Sequence, residues 1–96
     1  MTYEQILQAA KRFAKKNNTK WKVIGRNIRL ETGKPYCPLQ AAREEIGKTN
    51  CIYWYGNTFN YKGKIRNIMY AADGYNITSP NIRRMRGEMK RILEVK

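Results

Sequence analysis

Four separated stretches of this chain carry apolar residues three and four positions apart, and one stretch carries them two apart; those periods constrain the fold more than any single residue does. In the first stretch Tyr3, Ile6, Leu7, Ala10, Phe13 and Ala14 recur at i, i+3, i+4 and i+7, which predicts an amphipathic helix from about Tyr3 to Lys16. Thr2 and Gln5 fit a capping box, in which the threonine side chain caps the Gln5 amide and the Gln5 side chain reaches back. Lys15 and Lys16 place cations at the negative end of the helix dipole, and Asn17-Asn18 stop the helix.

The period then changes. Lys20-Trp21-Lys22-Val23-Ile24 and Asn27-Ile28-Arg29-Leu30-Glu31 read as two strands joined by Gly25-Arg26, with Gly25 taking the positive φ of a type II′ turn. Trp21 and Val23 share one face of this hairpin; Lys20 and Lys22 share the other. Thr32-Gly33-Lys34-Pro35 reads as a turn.

A second helix is predicted from about Pro38 to Ile46, with proline at its first position, Leu39, Ala42 and Ile46 as its apolar stripe and Gly47 closing it. Cys51-Ile52-Tyr53-Trp54-Tyr55 reads as a strand followed by a turn at Gly56-Asn57. A third helix follows from about Lys64 to Asp73, buried through Ile65, Ile68, Met69 and Ala72 and closed by Gly74. Residues 75–78 link it to a last helix, which starts at Ser79-Pro80 and runs to about Glu94 with Ile82, Met85, Met89, Ile92 and Leu93 inward. The expected fold is α+β: about four helices packed on a small antiparallel β-hairpin, with all 96 residues in one domain. A domain of this size buries roughly 60–70% of its unfolded surface, enough for a core without metal or disulfide help.

Charge sets the functional expectation. Twenty Lys and Arg stand against seven Asp and Glu, a formal net charge of +13. Solubility needs only about 2–8 charges in a small domain, and the excess repels itself, so a polyanionic partner is the natural complement. No apolar run approaches the ~18 residues of a membrane span. The N-terminal residues lack the pattern of a signal peptide, and the expected location is the cytoplasm. With two cysteines, Cys37 and Cys51, and no histidine, a zinc site has too few ligands, and both thiols are expected as small buried side chains. No cofactor or metal is expected.

The cations are segregated. Lys11, Arg12, Lys15, Lys16, Lys20, Lys22, Arg26 and Arg29 occupy the stretch from Lys11 to Leu30, which holds no acid. From Glu31 to Thr58 charge cancels, with Glu31, Glu44 and Glu45 against Lys34, Arg43 and Lys48. Positive charge returns at Lys62, Lys64 and Arg66, then at Arg83, Arg84, Arg86, Lys90 and Arg91. On the last helix Arg83, Arg86 and Lys90 share a stripe at i, i+3 and i+7, while Arg84 and Arg91 lie on the opposite flank. Arginine's planar fork suits phosphate oxygens, so this helix is the leading candidate for lying along a phosphate backbone or entering a groove. Lys11 and Lys15, like Arg12 and Lys16, are like charges at i, i+4, which repel in an isolated helix and make a second candidate patch. Tyr53, Trp54 and Tyr55 are candidates for stacking on unpaired bases. The ordinary alternatives are solvated helix faces for the cations and core positions for the aromatics.

Catalysis has little to stand on. Histidine is absent, Glu44 and Glu45 point in different directions on one helix, and Asp73 stands alone beside a helix-ending glycine. A nucleophilic Cys37 at a helix start lacks a nearby base. The expectation is a non-enzymatic nucleic-acid-binding protein.

The Cys37-Pro38-Leu39-Gln40-Ala41 helix start after Ile28-Arg29-Leu30, with Ala71-Ala72-Asp73-Gly74 before a basic C-terminal helix, resembles small uncharacterised proteins encoded by bacteriophages, over roughly residues 21–93. The resemblance implies a phage or mobile-element origin and carries no activity of its own. It raises one alternative: an anti-CRISPR-like inhibitor of a bacterial defence system, which would bind a defence protein or sequester an anionic nucleotide.

Overall fold

The computed structural model describes residues 1–32, 36–47 and 59–95. Among them the order is α1 (Tyr3–Lys16), β1 (Trp21–Ile24), β2 (Asn27–Leu30), α2 (Pro38–Glu45), α3 (Ile65–Asp73) and α4 (Pro80–Ile92). Four helices and one antiparallel hairpin form the α+β arrangement that the periods predict. The strand expected at Cys51–Tyr55 and the turns expected at Gly33-Lys34-Pro35 and Gly56-Asn57 lie outside the described residues.

Local chemistry sets the helix ends. At α1 the Gln5 N–H donates to Thr2 Oγ1 at 3.1 Å, and the Thr2 N–H donates to Gln5 Oε1 at 2.8 Å, so two orphan amides are satisfied reciprocally. At α2 the Cys37 sulfur accepts the Gln40 N–H at 3.4 Å, with Pro38 in the first turn. At α4 Ser79 Oγ accepts the Ile82 N–H at 3.5 Å. That helix stops at Ile92, short of the expected Glu94, which has left the helical region at φ +59°. None of these helices is long and apolar enough to cross a membrane.

In the hairpin Gly25 sits at φ +66° and Arg26 has no positive φ, which excludes a type I′ turn and matches type II′. The register pairs Trp21 with Leu30 and Val23 with Ile28 on the inward face, and Lys22 with Arg29 and Ile24 with Asn27 on the outward face. Trp21 is buried, and its indole N–H donates to the Ala10 carbonyl at 3.1 Å, fixing the hairpin to α1.

The core joins all six elements: Ile6 and Leu7 of α1, Trp21 of β1, Ile28 of β2, Leu39 of α2, Ile68 of α3 and Met89 of α4 are at most 3% exposed. Burying such a side chain is worth about 1.5–3 kcal/mol. The stripes are those of the sequence, with the margins shifted: Ala9, Ala41 and Ala71 are buried, whereas Phe13, Ile46, Ile65 and Met69 pack only partly against the core. The Tyr3 hydroxyl donates to the Met85 carbonyl at 2.6 Å and pins the start of α1 to the middle of α4. Burial pushes the Tyr3 phenol well above its ordinary pKa, and the charge of Glu88 acts in the same direction.

Candidate nucleic-acid interface

The cations of this chain divide according to whether an acid reaches them. Lys11 Nζ lies 3.1 Å from Glu94. Arg12 and Lys16 share Glu45, at 3.4 and 3.0 Å. The hydrogen bond from Lys16, then that from Arg12, holds the Glu45 carboxyl below its usual pKa. Lys20 faces Glu31 at 3.8 Å. Arg29 binds Asp73 at 2.7 Å, which eases its repulsion with Lys22, directly opposite across the hairpin.

The fold supplies acids that the local sequence lacks. The stretch from Lys11 to Leu30 lacks acids in sequence, yet the fold brings acids to five of its eight cations from Glu31, Glu45, Asp73 and Glu94. Asp73 does not stand alone; it caps Arg29. The i, i+4 repulsion between Arg12 and Lys16 is relieved inside the molecule by the carboxylate they share.

Arg86 is committed as well. Its guanidinium donates to the carbonyls of Ala71 and Ala72 at the end of α3, at 2.7 and 3.3 Å, and to the Arg26 carbonyl at the hairpin tip, at 2.7 Å. Burial lowers its pKa, while the charge of Asp73 acts to raise it. The tip comes this close because residue 74 is glycine. Gly74 adopts φ +70°, and a Cβ there would lie 3.2 Å from both the Cβ and the carbonyl oxygen of Arg26. The stripe of Arg83, Arg86 and Lys90 is therefore interrupted: its central member is a latch, and its outer two flank that latch.

Ten further cations of the basic stretches face solvent with no acid within ion-pair distance among the described residues. On α4 these are the exposed Arg83, Arg84 and Arg91 and the half-buried Lys90; Arg84 donates to the Asn81 side-chain oxygen at 2.6 Å. Elsewhere they are Lys15, Lys22, Arg26, Lys62, Lys64 and Arg66, all exposed.

Tyr53, Trp54 and Tyr55 lie outside the described residues. Among those described, the most exposed aromatic is Tyr75, at 57%, in the segment that reads only as a linker in sequence. The Arg26 guanidinium stands 5.3 Å from its ring centre, and the Tyr70 ring lies 6.2 Å away on the other element. The signal in sequence was Gly74-Tyr75, a helix-ending glycine followed by an aromatic with no apolar period to bury it.

Cys37 shows no sign of activation. Burial raises its thiol pKa against the Gln40 N–H, which lowers it. Among the described residues no three His, Cys, Asp or Glu side chains gather to hold a metal ion.

No protein-family model matches the chain, no curated protein is similar to it, and no solved structure matches its fold.

Proposed function

We propose that this protein binds nucleic acid, with the outward face of α4 set against the phosphate backbone. The observation that carries this reading is the uneven use of acids. The cations of α1 and the hairpin are largely neutralised from within, whereas Arg83, Arg84, Lys90 and Arg91 are left for a partner. Arginine forks grip phosphate oxygens with paired, charge-assisted hydrogen bonds. Asn81, the exposed amide of this face, is engaged with Arg84, which leaves the face almost purely cationic. Contact on this reading is mainly electrostatic and weakly selective for sequence. Lys15, Lys22, Lys62, Lys64 and Arg66 add long-range attraction, and Tyr75 beside Arg26 supplies an aromatic face for an unpaired base.

Fluorescence anisotropy of labelled random-sequence duplex DNA, single-stranded DNA and RNA, titrated over a range of salt, tests this. With about six phosphate contacts the log–log salt slope is roughly −5. Failure of all three probes to bind at about 0.15 M salt overturns the reading. It favours instead an acidic protein surface as the partner, the arrangement of an anti-defence inhibitor, which capture from a nuclease-treated bacterial lysate would identify.

A further inference from the structure

Gly87 sits in the middle of α4, exposed, in a helix where glycine is the poorest residue short of proline. Among the described residues nothing calls for it. Its φ is not positive, so no turn needs it, and a Cβ built there meets no atom of the described residues within 4 Å, so none of the described elements needs the room. A helical glycine with no such reason among the described residues leaves the backbone open to close approach from outside.

The surroundings of Gly87 identify that visitor. On a helix surface the neighbours of a residue are those at i±3 and i±4. For Gly87 these are Arg83, Arg84, Lys90 and Arg91, so each of the four is a cation. Arg83 and Lys90 bound it on one side, Arg84 and Arg91 on the other. None of the four forms an ion pair among the described residues, and Glu88, the acid nearest in sequence, makes none either. The face is a saddle with no side chain at its centre and a guanidinium or ammonium at each corner.

Building on the nucleic-acid reading above, we infer that Gly87 is the seat of a sugar–phosphate backbone, with one phosphodiester lying directly on the α4 main chain and its neighbours held by Arg83 and Arg84 on one side and Lys90 and Arg91 on the other. A single phosphate ion is too small for this arrangement. Arg83 and Arg91 are about 12 Å apart along the axis at 1.5 Å per residue. That distance calls for consecutive phosphates of a strand, one over Gly87 and one toward each end of the helix. The strand runs along α4 rather than across it.

The two demands on residue 87 oppose each other, and this gives the test its edge. Gly87→Ala should raise the thermal midpoint, by roughly 4–8 °C for a domain this small. The same methyl group should weaken binding of a labelled random-sequence DNA strand severalfold, and Gly87→Leu should weaken it more than tenfold, with secondary structure unchanged by circular dichroism. If alanine and leucine variants bind as the parent does, the backbone does not lie over Gly87, although the nucleic-acid reading stands. A thermal midpoint lowered by alanine also overturns the inference, because the fold would then need the glycine. If the parent protein binds none of the polynucleotides, the broader reading fails and the seat fails with it.

Discussion

α1 and α4 each carry four cations along a solvent-facing flank, and the two helices treat them oppositely. On α1, Lys11, Arg12 and Lys16 are matched by Glu94 and Glu45, and only Lys15 projects without an acid among the described residues. On α4, Arg83, Arg84, Lys90 and Arg91 have no such partner among the described residues, and a glycine lies between them. The same sequence cue, a run of basic residues at helical spacing, thus marks structural glue in one helix and an open surface in the other. What separates the two is where the fold brings its few carboxylates.

The hardest test of that division is Arg86, the cation of α4 that belongs with the glue. Arg86→Met leaves three carbonyls without their charged donor and frees the hairpin tip from Gly74. Stability should fall by about 2–3 kcal/mol, read from urea denaturation. Affinity of the remaining folded protein for DNA should stay within about twofold. A large loss of affinity at unchanged stability would move Arg86 across the line and make it a phosphate contact.

Next in size is the direct contrast. Arg83→Gln with Arg91→Gln should weaken DNA binding roughly tenfold or more near physiological salt and make the salt slope shallower by about two. Its effect on unfolding should stay within about 0.5 kcal/mol, as for exposed positions generally. Arg12→Gln with Lys16→Gln removes the same formal charge. It should move the salt slope by less than about 0.5 while lowering stability by up to about 1 kcal/mol, since Glu45 loses both partners. Equal effects on binding from the two pairs would mean that total charge governs binding and position does not.

Much of this architecture was legible from the sequence because it is locally encoded. The start of α1 follows from Thr2 and Gln5, the starts of α2 and α4 from Pro38 and Pro80, and the hairpin from Gly25. The division of the cations was not legible, because it depends on pairs far apart in the chain. No local pattern tells that Arg29 will meet Asp73 or that Lys11 will meet Glu94. The latch at Arg86 was hidden for the same reason: its three carbonyls belong to two other elements. Gly87 is a different case. The arrangement Arg83-Arg84, Gly87, Lys90-Arg91 stands in the sequence, but apolar periodicity sorts cations into flanks and passes over the glycine between them. Only the three-dimensional surround shows that no atom of the described residues comes within 4 Å of where its Cβ would be.

A smaller effect probes how α4 is held from beneath. Tyr3→Phe deletes the hydrogen bond to the Met85 carbonyl and leaves the ring in place. It should cost about 1 kcal/mol in denaturant unfolding with no change in DNA affinity or salt slope. An affinity loss there would mean that the outward face depends on the anchoring of its inner one.

The smallest effect bears on whether α1 can be turned into an α4. In the folded state the Glu45 carboxyl is held below its ordinary pKa by Lys16 and Arg12, so the unfolded chain takes up the proton at higher pH than the folded one. The stability from this cluster is therefore fully present above the ordinary carboxylate range and is lost as pH falls through the depressed folded value. The loss is modest, under about 1 kcal/mol, because both cations are themselves exposed and screened. Glu45→Gln imposes the protonated condition at neutral pH: it should flatten the acid limb of stability by that small amount and release Arg12 and Lys16 to solvent. If the binding surface extends onto α1, the salt slope then steepens by one to two, at about 0.9 per released contact. An unchanged slope would show that two freed arginine and lysine side chains on α1 find no phosphate to hold, and that the division between the two helices is one of location as well as of charge.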